Sequence, residues 1–184
     1  FFFFLIQNKI DEMIDFLKYY KIKHVEVSLG SLPLKPGAHG DYFVTNNDKI
    51  KYVEKFASLG FHVFTEVGRK DDVVYSNQEW IDQIKADFDA GAWKVIVEGR
   101  ESGMTGIYST DKSVKNDLIE AVFDHFDYRD IMIEAPTRAH QKIFVQKFGA
   151  NPNFGNVSPQ DAMILETLRC GLFGETINTN LPVP

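Results

Sequence analysis

Three glutamates close short apolar runs. They stand at the ends of His62-Val63-Phe64-Thr65-Glu66, Lys94-Val95-Ile96-Val97-Glu98 and Asp130-Ile131-Met132-Ile133-Glu134. Carboxylates are hard oxygen donors, so such a set can hold a divalent cation such as Mg²⁺. Crowded carboxylates also resist ionising together, which lets one of them move protons near neutral pH. The bland alternative is a rim of salt bridges to Arg69, Arg100 or Arg138. For one glutamate the two readings balance. Three at equivalent positions favour a shared pocket, because a buried carboxylate is costly unless something is gained. Glu66, Glu98 and Glu134 are therefore the expected metal ligands and, with Arg100, the expected catalytic groups.

The turns behind these glutamates carry the cations. Gly99-Arg100-Glu101-Ser102-Gly103 is the densest polar loop. Arg100 offers a planar fork for phosphate, carboxylate or sulfonate, its flanking glycines allow close approach of the backbone, and Glu101 is expected to orient it. Arg69 and Lys70 follow Glu66 and are expected to bind substrate, with plain solvation as the alternative for Lys70. Gly155-Asn156-Val157-Ser158 runs into a helix start, where free N–H groups attract anions. Asn156 and Ser158 complete the expected substrate set, although capping by Ser158 explains the same pattern. Glu26 stands between Val25 and Val27 and must point away from both. It joins the acidic set if the valines face helices, and is an exposed edge carboxylate otherwise. His24, His39, His62, His125 and His140 show no metal spacing. His62 reads as structural and His140 as exposed. Trp80, Trp93 and Cys170 read as packing residues.

These groups need a scaffold that brings strand ends together. Apolar residues at Ile10, Met13, Ile14 and Leu17 give a helical stripe over 6–20, and a first complete strand runs over 24–28. A Pro/Gly loop over 29–41 follows. Further helices are predicted from Asn47 or Asp48 to Leu59, from Asn77 as cap to Gly91, over 113–126, over 137–148, and from Ser158-Pro159 onward with Leu165, Leu168 and Leu172 on one face. Between them lie the three glutamate strands and a short one over 153–157. Short apolar runs alternating with helices mark parallel strands joined by crossovers. No G-x-G-x-x-G turn and no P-loop occurs. Catalytic groups drawn from several strand ends favour a (β/α)₈ TIM barrel over a doubly wound sheet. Five complete strands are countable, plus Phe1–Leu5 read as the remnant of a buried strand. About two βα units are then missing at the front. Residues 1–174 are expected to form this single, N-terminally incomplete barrel domain, and residues 175–184 a frayed tail.

Composition narrows the function further. The chain has 184 residues, 44% hydrophobic and 25% charged, with 20 basic against 26 acidic side chains and a net charge of −6. Scattered cations and an acidic balance argue against a nucleic-acid surface. The apolar amino terminus is too short to span a bilayer and lacks the marks of a signal peptide. The single cysteine, Cys170, excludes an intrachain disulfide and fits a reducing compartment, the cytoplasm.

Several segments together resemble the phosphosulfolactate synthase family, from about Gln7 to Gly171. They are Phe64-Thr65-Glu66-Val67-Gly68-Arg69-Lys70, Trp80-Ile81 with Ile84-Lys85, Ala90-Gly91-Ala92, Val95 to Gly103, Ile133-Glu134-Ala135-Pro136 and Phe148 to Asn153. The Glu-Gly-Arg-Glu-Ser-Gly run at 98–103 is the most specific of these. The resemblance implies a (β/α)₈ barrel lyase that adds sulfite to phosphoenolpyruvate with Mg²⁺, on the route to coenzyme M, in a homo-oligomer. Plant heat-stress-associated relatives share the pattern. Two departures favour an alternative, a catalytically degenerate barrel acting as a stress-associated or binding protein. The family's leading lysine-bearing strands have no counterpart in this chain, and Ser28-Leu29-Gly30 stands where the family shows Ser-Asp-Gly.

Overall fold

The computed structural model describes residues 1–28, 46–68, 75–99 and 106–177. Seven α-helices alternate with five strands among them: α1 (Phe2–Ile6), α2 (Ile10–Tyr19), β1 (His24–Val27), α3 (Asn46–Ser58), β2 (His62–Val67), α4 (Asn77–Asp89), β3 (Lys94–Val97), α5 (Asn116–His125), β4 (Ile131–Glu134), α6 (Arg138–Phe148), β5 (Asn153–Gly155) and α7 (Ala162–Arg169). The sheet order is β1-β2-β3-β4-β5. β1 with β2 and β4 with β5 pair in parallel. An order that never reverses is the winding of a (β/α) barrel, whereas a doubly wound sheet turns back at its switch point. The chain divides into two compact units, Phe1–Val95 and Ile96–Pro184, with the division inside β3.

In the first unit, α2 lays Ile10, Met13, Ile14 and Leu17 against Val25 and Val27 of β1, Val53 and Phe56 of α3, and Phe61 and Val63. The period-two pattern of β1 sends its valines into this cluster and leaves Glu26 exposed. The valines face helices, so Glu26 points to the opposite face of the sheet, where it is exposed on the terminal strand of the sheet order. The other face of these strands gathers rings at its N-terminal end: His24, His62 and Phe64 all pack on Trp93, with centroids 4.9 to 5.3 Å apart. Trp93 is accordingly 43% exposed, and only Trp80 is a core residue. His62 is exposed too, its Nδ1 lying 3.2 Å from His24 Nε2.

The amino terminus departs from expectation. Residues 2–6 form helix α1 rather than a strand remnant. An unbroken apolar run carries no period, so packing decides its form. Phe1, Phe4 and Leu5 pack on the α2–α3 cluster, and the Phe1 ring meets Tyr52 edge-on at 5.2 Å. The cap of helix α4 lies one residue before Asn77, its predicted position. Ser76 is the N-cap, accepting from Glu79 N–H while the Glu79 carboxylate accepts from Ser76 N–H, a reciprocal capping box.

In the second unit, Leu118, Ile119 and Val122 of α5, Ile131 and Ile133 of β4, and Phe144 and Val145 of α6 are buried. Leu165 and Leu168 of α7 close on Val145. Leu172 lies past the end of α7 and is exposed, as is Cys170. The start of the expected tail is packed instead of frayed. Thr176 is buried, and Glu175 receives Lys142 Nζ on its carboxylate and Gln146 Nε2 on its carbonyl. Among the described residues no helix is long and apolar enough to cross a membrane.

Candidate functional site

Strand β2 delivers Glu66 to its C-terminal end, where the residue is 5% exposed. Beneath it lies a fully buried ion pair. Lys49 Nζ of α3 donates to Asp87 Oδ2 of α4 at 2.7 Å and to the Glu66 carbonyl at 3.1 Å. Burial lowers the Lys49 ammonium and raises the Asp87 carboxyl, and the attraction between the two opposes both shifts. The pair ties two helices to the strand end that carries Glu66. Neither residue was singled out from sequence, yet each was signalled. Lys49 shares the buried stripe of Val53 and Phe56, and Asp87 that of Trp80 and Ile84. A charge on an apolar stripe marks a paired interior group.

In the second unit, Glu98 follows β3 and is 2% exposed. Its carbonyl accepts from Ile107 N–H at 2.9 Å. Gly106 backs onto the same peptide at φ +68, and a Cβ there would stand 1.8 Å from the Glu98 carbonyl oxygen. The chain leaving Glu98 therefore returns to Glu98. Glu134, at the end of β4, is half-buried and accepts from Gly99 N–H at 2.8 Å. The Tyr108 hydroxyl donates to the Glu134 carbonyl at 2.6 Å. Burial, aided by the Glu134 charge, pushes the Tyr108 phenol up, so it remains a donor. The Tyr108 ring stacks on His140 at 3.8 Å and 15°. His140 is thus buried rather than exposed, with Nε2 against the Lys112 carbonyl. The first turn of α6 packs inward here, with the His140 ring laid on Tyr108. No periodicity announced Tyr108, since it sits in an irregular segment.

The remaining expected residues divide into two groups. Arg69, Lys70, Arg100 and Glu101 lie outside the described residues. Asn156 is exposed with φ 56, and Ser158 caps the short turn Pro159–Asp161 by accepting from Gln160 N–H at 3.3 Å. Ser158 therefore serves as a cap. Arg138 pairs with Asp161.

Glu66 in the first unit and Glu98 in the second each fit a divalent cation by donor type. Both are almost fully buried carboxylates, the donor type that Mg²⁺ prefers, and Mg²⁺ is commonly held by one or two carboxylates plus substrate oxygens and water. Among the described residues, no group of three or more histidine, cysteine, aspartate or glutamate side chains could hold a metal ion. The Glu134 carboxylate accepts from the Gly99 amide through Oε2.

Comparison with known proteins gives this geometry a family. Residues 1–175 match the model of the (2R)-phospho-3-sulfolactate synthase family, ComA. A phosphosulfolactate synthase of Bacillus subtilis is 36% identical over 177 residues, covering 94% of this chain and 66% of its own length. Those of Methanothermobacter thermautotrophicus and Methanocaldococcus jannaschii are 30% and 32% identical, covering 94% and 92% of this chain and 64% and 65% of their own lengths. The chain spans a little under two thirds of the length of these relatives. With a family match across nearly all of its residues and strand-end glutamates held in the manner described, the chain belongs to the (2R)-phospho-3-sulfolactate synthase family.

Proposed function

We propose that the protein adds sulfite to phosphoenolpyruvate, giving phosphosulfolactate in the cytoplasm on the route to coenzyme M. The observation that carries the reading is the near-complete burial of Glu66 and Glu98 at the ends of their strands, in a chain whose relatives are named phosphosulfolactate synthases. The sulfur lone pair forms a C–S bond to the terminal methylene carbon, and the double-bond electrons move toward the carboxylate. A proton then adds to the carbon bearing the phosphate. Substrate and nucleophile are both anionic, so cations must bring them together. Arg69, Lys70 and Arg100 take that task, Arg100 by its fork and Lys70 as a point charge. Glu66 or Glu98 would offer carboxylate oxygen to Mg²⁺, and that cation would neutralise charge developing on the substrate carboxylate. Lys49 keeps the Glu66 peptide in place, and the return of the chain at Gly106 does the same for Glu98.

The test is turnover of phosphoenolpyruvate and sulfite with and without Mg²⁺. Organic product forms only with the cation. The Glu98→Gln protein loses about 100-fold or more in kcat, the scale set by removing one charge-stabilising group. A fully active Glu98→Gln protein ends the proposal. A second reading, a barrel that binds the anions without converting them, is favoured by Leu29 in Ser28-Leu29-Gly30. Calorimetric binding of phosphoenolpyruvate with no product at any Mg²⁺ concentration selects it.

A further inference from the structure

We infer that Glu134 is a positioning residue: its carboxylate anchors the Gly99 amide and so sets the start of the loop carrying Arg100, and it is not a ligand of the cation. The inference deepens the proposed function and rests on it for its kinetic consequences, but its geometric part stands alone.

Four contacts converge on one short stretch of backbone. Gly99 N–H donates to Glu134 Oε2 at 2.8 Å. The Glu134 carbonyl accepts the Tyr108 hydroxyl at 2.6 Å. A Cβ on Gly99 would stand 2.5 Å from Tyr108 Cε2 and 2.8 Å from the Glu134 carbonyl oxygen, so the backbone at 99 is pressed against both residues. Tyr108 cannot yield, because it is fully buried and stacked on His140. Just upstream, Ile107 N–H donates to the Glu98 carbonyl. The Glu98-Gly99 segment is thus held from the β4 side by Glu134 and from the returning chain by Ile107. A carboxylate bonded to a main-chain N–H makes a charge-assisted hydrogen bond, roughly twice as strong as a neutral one. That bond holds one of the two carboxylate oxygens against the Gly99 amide. The start of a loop that must present a cation to an anionic substrate needs such fixing, since an error of about 1 Å costs on the order of 100-fold in rate.

The two roles respond oppositely to one substitution. Glutamine keeps an oxygen that can accept from Gly99 but loses the charge a cation needs; alanine loses both. We therefore compare Glu134→Gln, Glu134→Ala and Tyr108→Phe in two measurements. The first, independent of turnover, is the position of the Gly99 amide in a ¹⁵N–¹H correlation spectrum. The expected result is a signal kept near its original place in Glu134→Gln and moved upfield in Glu134→Ala, with a smaller displacement in Tyr108→Phe. The second is turnover against Mg²⁺ concentration. Glu134→Gln is expected to lose no more than about threefold in kcat and to reach half-activation at the original Mg²⁺ concentration, whereas Glu134→Ala falls at least about tenfold at saturating Mg²⁺, the effect of one charge-assisted hydrogen bond. A rise of tenfold or more in the Mg²⁺ needed by Glu134→Gln overturns the inference, as does a Gly99 amide indifferent to Glu134→Ala. If the parent protein shows no turnover, the proposed reaction fails, and the Gly99 amide alone decides the role of Glu134. Should Glu134→Ala not fold, Glu134→Gln and Tyr108→Phe still separate the outcomes.

Discussion

Lys49 and Asp87 have no exposed side-chain surface, and their charges answer each other at 2.7 Å. Removing one member of such a pair strands the other in a low-dielectric interior. The Lys49→Met protein is expected to lose about 3–5 kcal/mol. The double variant Lys49→Met/Asp87→Leu is expected to recover most of that, because packed apolar groups replace a buried pair at little cost. Urea unfolding of the two proteins measures the difference; equal losses in both would show that the charge of Asp87 is not the cause. The double variant also frees the Glu66 carbonyl, so recovered stability with lowered turnover separates what the pair does for the fold from what it does for Glu66. At this scale the sequence was partly readable. The burial of Glu66 and Glu98 followed from their place at the ends of apolar runs. The engagement of Glu134 with Gly99 did not, because a backbone amide leaves no mark in residue type.

Helix α4 shows how much an element owes to its first turn. Ser76 and Glu79 cap each other, and the hydrogen bonds from Ser76 N–H and its hydroxyl hold the Glu79 carboxyl below the usual carboxylate range. Ser76→Ala should cost about 1 kcal/mol. A folded-state pKa below the unfolded 4.5 means that the Glu79 contribution is complete above that pH and fades as pH falls through the folded value. The stability gap between the parent protein and Glu79→Gln should therefore be present at neutral pH and close under acid, as urea midpoints across that range will show. A gap independent of pH would refute the box. Ser76 and Glu79 carry the spacing of a capping box in plain view, so this start was legible, one residue before Asn77. Helix α1 was not. Phe-Phe-Phe-Leu-Ile has neither a period of two nor one of 3.6, and only the packing of Phe4 and Leu5 on the α2–α3 cluster settles it. Trp93 misled for a related reason. Large apolar residues are usually interior, but its place at the open end of β3 puts it among His24, His62 and Phe64.

The division between the two compact units falls between Val95 and Ile96 of β3. Trp80 and Trp93, the only tryptophans, both belong to the first unit. Tryptophan fluorescence therefore reports the first unit, while far-ultraviolet dichroism reports helices of both. The two signals should lose structure at one denaturant concentration, the behaviour of a cooperative transition. Two separated midpoints would mean that β3 does not couple the units. The alternation of helix and strand, and hence the barrel winding, could be read from the sequence because buried parallel strands advertise themselves as short apolar runs. The contact of Gly106 with the Glu98 peptide could not, and it has a consequence for how such a protein diversifies. A segment whose two roots touch behaves as an exchangeable cassette. Its length can vary while the strand beneath keeps its register, because closing a somewhat longer loop costs little extra entropy.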